Sequence, residues 1–297
     1  MKWLEISLSL TGELAEAVSE MINRYAPGSV VIEALGRSQE FSSTDAVSLR
    51  AFLPIDDEHQ QRLRSIEEGL WHLGQINPLP KAEYKTLQEE NYRESWKDHF
   101  RPIEIGERLL VQPDWMTTNE GDRLPIIISP EMAFGTGTHP TTQLCLAALE
   151  NILSRADTVI DVGCGSGILS IAAAKLGASK VLALDNDPKA VQNSKKNIQL
   201  NQLQDKIEVR LGSLPQNTIF ESDFKFTVLV ANILHKVLDQ LLADGLSDCV
   251  KRDGVLIFSG ILIEQSADFT QTCLRYGLQF IDENRMQDWT CLVFAKK

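Results

Sequence analysis

From residue 158 onward, short apolar segments of strand length alternate with longer segments whose apolar residues recur at helical spacing. This alternation constrains the fold most strongly, because parallel strands must be joined by crossover connections that are usually helices. We predict a mostly parallel sheet closed by an antiparallel hairpin at its end. The predicted strands are 158–162, 180–184, 207–211, 226–231, 255–259, 278–282 and 290–295, with helices at 167–176, 188–201, 234–247 and 263–276.

Residues 1–88 follow a different pattern, in which the predicted elements occur in the order β-α-β-β-α-β. That order is typical of ferredoxin-like α+β folds. This segment contains no convergent group of catalytic side chains, so we interpret it as a substrate-recognition domain. Residues 89–102 predict a linker helix whose aromatic residues, spaced by four, share one face. Residues 103–297 then form the second domain, of α/β class.

Composition and charge limit the location and the partners. No segment approaches the roughly 20 apolar residues that cross a bilayer, and the first residues lack the apolar region of a signal peptide, so we expect a cytoplasmic protein. The five cysteines are scattered without a CxxC pair, which signals neither a zinc site nor a disulfide framework. A net charge of -12 disfavours naked nucleic acid and suits a lysine-rich protein partner.

The strongest motif lies at residues 159–169, which read VIDVGCGSGIL. An apolar strand runs into three glycines at alternate positions and then into a helix. Glycine permits a sharp turn and close approach of the backbone to a ligand at the helix N-terminus. A dinucleotide site would need GxGxxG, but Ile168 and Ser170 occupy the places where its third glycine would fall. The GxGxG pattern, with Gly163 and Gly165 at its start, resembles motif I of class I methyltransferases.

Two aspartates follow the next predicted strand. Asp185 stands at about the distance from the glycines that is expected for a carboxylate binding the hydroxyl groups of a ribose. Asp187 precedes Pro188, an arrangement typical of an N-cap followed by proline at the first helical position. We therefore interpret Asp187 as a helix cap and Asp185 as a ligand of the cofactor. The alternative is that Asp185 is only a polar residue at a strand end.

Asn232 ends the fourth strand of this domain, where open α/β sheets hold their substrates. Methyltransferases that act on planar amide or adenine nitrogens carry Asn/Asp-Pro-Pro-Tyr here, and the aromatic ring stacks on the planar group. This chain has Asn-Ile-Leu instead, which argues for a flexible aliphatic amine. By itself, Asn232 could also be a turn residue.

The segment before the first strand of the sheet, residues 130–142, is rich in glycine and threonine. A helix beginning near Thr141 would direct its unsatisfied N–H groups outward, which suits the carboxylate of a methionine moiety. A plain capped helix after a loop is the alternative. We interpret His139 as structural, because no carboxylate partner is visible for it. Adenine recognition would rest on Ser213 and backbone groups.

Three motifs in this order, FGTGTHPTT at 134–142, DVGCGSGIL at 161–169 and NIL at 232–234, resemble the PrmA family, the bacterial methyltransferases of large-subunit ribosomal protein L11. The resemblance extends from Trp3 to the C-terminus. It implies a Rossmann-like class I domain that binds S-adenosylmethionine, without a metal, through Thr142, Gly163, Asp185 and Asn232. It further implies an N-terminal domain that grips the substrate, free or on the ribosome.

The same resemblance implies methylation of lysine side chains and of the N-terminal α-amine. For the chemical step we predict that the side-chain oxygen of Asn232 accepts a hydrogen bond from the amine, with no dedicated base. One alternative is a lysine methyltransferase of another protein. Others are an NAD-dependent oxidoreductase, disfavoured by the missing third glycine, and a non-catalytic ribosome-binding module.

Overall fold

A computed structural model describes residues 2–23, 25–26, 30–34, 46–88, 102–116, 121–129, 137–213 and 225–297. The chain divides into two compact units, Met1–Phe100 and Arg101–Lys297. The predicted linker helix at 89–102 lies outside the described residues, apart from Pro102. Among the described helices, none combines the length and apolar character that a membrane span requires.

The first unit is a four-stranded antiparallel sheet in the order β2-β3-β1-β4. Alternate residues of β1 point to one face, so Ile6, Leu8 and Leu10 are buried against the apolar stripes of two helices. This arrangement is the predicted ferredoxin-like fold, which is confirmed. Its elements are β1 (Lys2–Thr11), α1 (Gly12–Asn23), β2 (Val30–Ala34), β3 (Ala46–Pro54), α2 (His59–Ile76) and β4 (Glu83–Gln88).

The second unit begins with a small three-stranded sheet in the order β5-β6-β7. Its strands are β5 (Ile103–Ile105), β6 (Leu109–Pro113) and β7 (Leu124–Ile128). Strands β5 and β6 are antiparallel, and β6 and β7 are parallel. One oxygen of Glu150, Oε1, accepts hydrogen bonds from the backbone N–H groups of Glu107 and Arg108 at 2.9 and 3.0 Å, which ties the turn after β5 to the main body of the unit.

The main body is a seven-stranded sheet in the order β10-β9-β8-β11-β12-β14-β13. All neighbouring strands are parallel except those that involve β13 and β14, which form the closing antiparallel hairpin. The predicted Rossmann-like fold is therefore confirmed. Its elements are α3 (Pro140–Ile152), β8 (Thr158–Val162), α4 (Ile168–Leu176), β9 (Lys180–Asp185), α5 (Pro188–Leu200), β10 (Ile207–Leu211), β11 (Phe226–Asn232), α6 (His235–Ala243), β12 (Val250–Leu262), α7 (Ser266–Arg275), β13 (Leu278–Met286) and β14 (Trp289–Lys296).

Both faces of this sheet are buried, which explains why its central strands are continuously apolar in sequence. In β8, Val159 joins a core with α3, α4 and α5, whereas Ile160 joins a second core with α6 and α7. All five cysteines are buried as free thiols. Burial raises the pKa of one of these thiols, Cys249, to about 11.

One predicted helix is too long. The prediction extended it over 234–247, but α6 ends at Ala243. Gly245 takes a left-handed conformation with φ of 91°, and a short 3-10 turn, Leu246–Cys249, follows it. A left-handed glycine ends a helix because its backbone cannot continue the right-handed hydrogen-bond ladder. Strand β12 then begins at Val250.

Candidate active site

The carboxyl ends of β8, β9 and β11 open into a cleft of about 1160 Å³. Ligands of open α/β sheets bind at this edge, because the helices and loops that follow the strands diverge there. The structure brings together in this cleft all the residues that the sequence predicted for the site. They are Thr142, Gly163, Gly165, Asp185 and Asn232. Ser213, the predicted contact to adenine, also lines the cleft.

The glycine turn between β8 and α4 forms the floor of the cleft. Gly163, Gly165 and Gly167 all have positive φ, at 75°, 53° and 80°, a region that side chains disfavour. A Cβ on Gly163 would also clash with Cγ2 of Ile233. Gly167, the N-cap of α4, has no side chain to cap the helix, and in the first turn of α4 the N–H of Ser170 is bound by Asp161 instead.

Two polar residues of α5 that the sequence analysis missed hold this turn in place. Ser194 Oγ donates to the carbonyl oxygen of Gly165 at 2.7 Å, and Asn197 Nδ2 donates to that of Ser166 at 2.8 Å. Ser194 and Asn197 are fully buried. Their signal in the sequence is the occurrence of polar residues on the face of a helix that otherwise buries Val191 and Ile198.

The carboxylate of Asp185, at the end of β9, is oriented by two backbone groups. Its Oδ2 accepts from the N–H of Gly165 at 2.8 Å, and its Oδ1 accepts from the N–H of Asp187 at 2.9 Å. A carboxylate oxygen can accept more than one hydrogen bond, so Asp185 keeps acceptor capacity for hydroxyl groups in the cleft. The bond to Gly165 couples the position of this carboxylate to the glycine turn.

Asp187 is the N-cap of α5, and its role as a cap is confirmed. Its Oδ1 accepts from the N–H of Lys189 at 2.8 Å, and Pro188 stands at the first helical position. We expect Asp187→Ala to lower the free energy of unfolding by about 1 kcal/mol, because a backbone N–H of the helix loses its acceptor. Urea unfolding of the whole chain measures this change, with Asp205→Ala as the control. Equal stability of the two variants would contradict the assignment.

Asn232 and Thr142 meet in the same cleft. The side-chain amide nitrogen of Asn232, Nδ2, donates a hydrogen bond to Thr142 Oγ1 at 3.4 Å. This contact leaves the amide oxygen of Asn232 for a ligand. Thr142 lies in the first turn of α3, whose N-cap is His139. Strand β11 and helix α3 thus place one polar group each on the same side of the cleft.

His139 has the structural role that we predicted. Its Nδ1 accepts from the N–H of Thr141 at 3.3 Å and contacts Thr141 Oγ1 at 2.7 Å. Its ring also meets that of Trp289 edge to face, with centroids 5.0 Å apart. Burial lowers the pKa of His139, which favours the neutral ring that can accept these bonds. Trp289, which also lines the cleft, was not identified from the sequence.

Asp161, in β8 beneath the glycine turn, is fully buried. Its Oδ2 accepts from the backbone N–H and the hydroxyl of Ser170 at 3.1 and 2.6 Å. Burial, reinforced by the negative charge of Asp185, raises the pKa of Asp161 to about 7 despite those bonds. Nothing in the motif predicted a separate role for this residue.

The raised pKa of Asp161 predicts a pH dependence of stability. Between pH 3.8, the ordinary pKa of an aspartate, and about pH 7, Asp161 keeps a proton in the folded chain that it has lost in the unfolded chain. Stability therefore falls as the pH rises through this window. We expect wild type to lose stability relative to Asp161→Asn between pH 5 and pH 8 in urea unfolding. A difference between the two proteins that is constant with pH would contradict this expectation.

Sheet order, the GxGxG turn and a carboxylate at the end of the following strand together define a class I S-adenosylmethionine-dependent methyltransferase. The chain belongs to the ribosomal protein L11 methyltransferase (PrmA) family, whose model matches residues 2–297. The resemblance predicted from the motifs is confirmed, and the oxidoreductase and non-catalytic alternatives are not supported.

Relatives extend over the whole chain. A protein from Chloroflexus aurantiacus named ribosomal protein L11 methyltransferase is 38% identical over 99% of this chain and 98% of its own length. A protein of the same name from Anoxybacillus flavithermus is 35% identical over 100% of both chains. Among solved structures, a ribosomal protein L11 methylase from Lactobacillus delbrueckii subsp. bulgaricus matches with a TM-score of 0.60 and 34% identity, covering 67% of this chain and 100% of that one.

Proposed function

We propose that this chain transfers methyl groups from S-adenosylmethionine to lysine side chains and the N-terminal α-amino group of large-subunit ribosomal protein L11. The proposal that the methyl acceptor is an amine rests on the surroundings of Asn232. Its amide oxygen is available in the cleft, and Ile233 and Leu234 follow it without an aromatic ring. A planar acceptor would find no stacking partner in the two residues that directly follow Asn232.

Two features of the cleft fit an adenosyl-sulfonium cofactor. The glycine turn brings backbone, unshielded by side chains, to the floor of the cleft, and Asp185 presents a carboxylate fixed by two backbone N–H groups. We propose that Gly163 and Gly165 contact the methionine half and that Asp185 binds the ribose hydroxyls. Thr142, at the start of α3, would help to hold the methionine carboxylate near the N-terminus of that helix.

When bound, S-adenosylmethionine supplies a methyl group on a positively charged sulfur. The residues of the chain then have to position the acceptor, because in-line displacement depends mainly on near-attack geometry. We propose that Asn232 Oδ1 accepts a hydrogen bond from the acceptor nitrogen while Thr142 Oγ1 holds the amide in orientation. This bond would fix the direction of the nitrogen lone pair.

The acceptor must be neutral to react. A lysine amine is almost wholly protonated at pH 7, because its ordinary pKa is about 10.4. Desolvation in the cleft would lower that pKa and raise the neutral fraction. His139 is committed to capping α3, so we propose no dedicated base among the described residues of the cleft, and the proton leaves to water between turnovers.

We propose that the first unit recognises the substrate, in the cytoplasm, on free L11 or on the ribosome. Its ferredoxin-like fold carries no catalytic constellation in the described residues, and the net charge of the whole chain, -12, suits a lysine-rich protein. The alternative, a lysine methyltransferase of another protein, is not favoured, because the relatives are named for L11. Its second unit would look the same, so the two functions differ only in what the first unit binds.

Incubation of the protein with radiolabelled S-adenosylmethionine and ribosomes that lack L11 methylation tests this function. We expect label on L11, located by mass spectrometry at lysine residues and at the N-terminus. Label on a different ribosomal protein would establish the alternative. No transfer to any protein, together with normal cofactor binding, would refute the proposed activity.

A further inference from the structure

We infer that Leu234, Val237 and Leu241 form an aliphatic wall that binds the methylene chain of the acceptor lysine and favours lysine side chains over the α-amine. This inference rests on the proposed function and adds specificity-determining residues to it. All three side chains line the same cleft as Asn232. The wall lies at the start of α6, directly after the strand that carries Asn232.

The exposure of the wall is unusual for apolar side chains. Leu234 is 69% exposed and Val237 is 45% exposed, whereas Leu241 is only 9% exposed. Residues three and four apart share one face of a helix, so the three side chains follow one another along α6. Leu241 is seven positions after Leu234, so at about 1.5 Å per residue the wall is about 10 Å long, which is sufficient for the extended chain of a lysine.

Local stability does not account for a leucine at this position. Leu234 is the N-cap of α6 and makes no side-chain cap bond. Serine, threonine, aspartate or asparagine at an N-cap stabilises a helix, and an exposed apolar side chain gains nothing from burial. Leu234 is therefore unfavourable both as a cap and as a surface residue in the free protein, which points to a ligand that covers it.

The chemistry of the wall matches that ligand. Toward the C-terminal end of α6 the cleft is lined by Gln240 and Asp244, which are joined by hydrogen bonds of 3.1 and 3.2 Å. The acceptor surface is thus apolar beside Asn232 and acidic farther away. A lysine presents methylene groups behind its reactive nitrogen, whereas an α-amine has no such chain to bury. Contact with the wall should consequently assist the lysine alone.

The test compares Leu234→Ala with wild type on unmethylated L11, using mass spectrometry to resolve lysine from N-terminal methylation. We expect the rate at lysine to fall about tenfold and the rate at the α-amine to change less than twofold, with an unchanged Kd for S-adenosylmethionine. The matched control is Leu274→Ala in α7, which removes a leucine that is 43% exposed and lies outside the cleft. Leu234→Met, which keeps the apolar volume, should restore most of the lysine rate.

A second variant separates selectivity from folding. Leu234→Ser introduces a favoured N-cap, so we expect a higher Tm together with the same loss at lysine. Equal losses at both kinds of amine, or no loss at either, would overturn the inference while leaving the proposed function intact. If wild type methylates neither amine of L11, the proposed function fails, and the inference fails with it.

Discussion

Asn232→Ala is expected to lower kcat about 100-fold, the size of effect that follows removal of one well-placed hydrogen-bonding group from an active site. The physical reason is the loss of the amide oxygen that we propose to orient the acceptor nitrogen. The Kd of S-adenosylmethionine should change less than tenfold, since the glycine turn and Asp185 remain in place. Single-turnover methylation of L11 measures the first quantity and calorimetry measures the second.

The matched control is Asn151→Ala, which removes an exposed asparagine at the end of α3 outside the cleft. Thr142→Val should give an intermediate loss, because the hydroxyl 3.4 Å from the amide nitrogen disappears while the amide itself remains. A turnover of Asn232→Ala within twofold of wild type would remove this residue from the mechanism. An equal loss of turnover and affinity would assign it to cofactor binding alone.

Asp185→Ala is expected to raise the Kd of S-adenosylmethionine at least 100-fold. Hydrogen bonds to a charged group contribute about 1.5–3 kcal/mol each, and a pair to the two ribose hydroxyls would therefore account for two or more factors of ten. The change also leaves the N–H of Gly165 without its acceptor, because in the wild type it donates a hydrogen bond to Asp185 Oδ2 at 2.8 Å. Two effects thus act in the same direction.

Calorimetric titration of the variant measures this loss. Asp185→Asn should retain part of the affinity, because the amide still offers one acceptor, and Asp205→Ala, at an exposed turn outside the cleft, should bind like wild type. A Kd for Asp185→Ala within a factor of three of wild type would show that the cofactor does not contact this carboxylate.

The positions of the helices and strands along the chain could be predicted from local sequence patterns. Apolar runs bounded by Gly163 and Asp185, and the Asp187-Pro188 cap, are set by short-range backbone preferences, so the sequence predicts them closely. The extension of the helix past Ala243 failed for a related reason. Periodicity continues through Leu246, but the left-handed conformation of Gly245 ends the helix, and one glycine within an apolar pattern is a weak signal.

Other features depended on contacts between distant segments. Asn197, in α5, accepts from the N–H of Ser129 and donates to the carbonyl oxygen of Ser166. Asn201, directly after α5, accepts from the N–H of Ile127 in β7 and donates to the carbonyl oxygen of the same residue. In the sequence they are only polar residues within a helix. Their role arises because a buried backbone group without a partner is costly, and which group needs a partner is decided by the packing.

The sequence by itself determined the class of fold, the glycine turn and the candidates for the site, because these rest on periodicity, on the steric freedom of glycine and on the order of the motifs. Only the tertiary structure decided that Thr142 faces Asn232, that Ser194 supports the turn and that Leu234 is exposed in the cleft. Distances and burial between residues far apart in the chain are set by how helices pack on the sheet, and no local pattern encodes them.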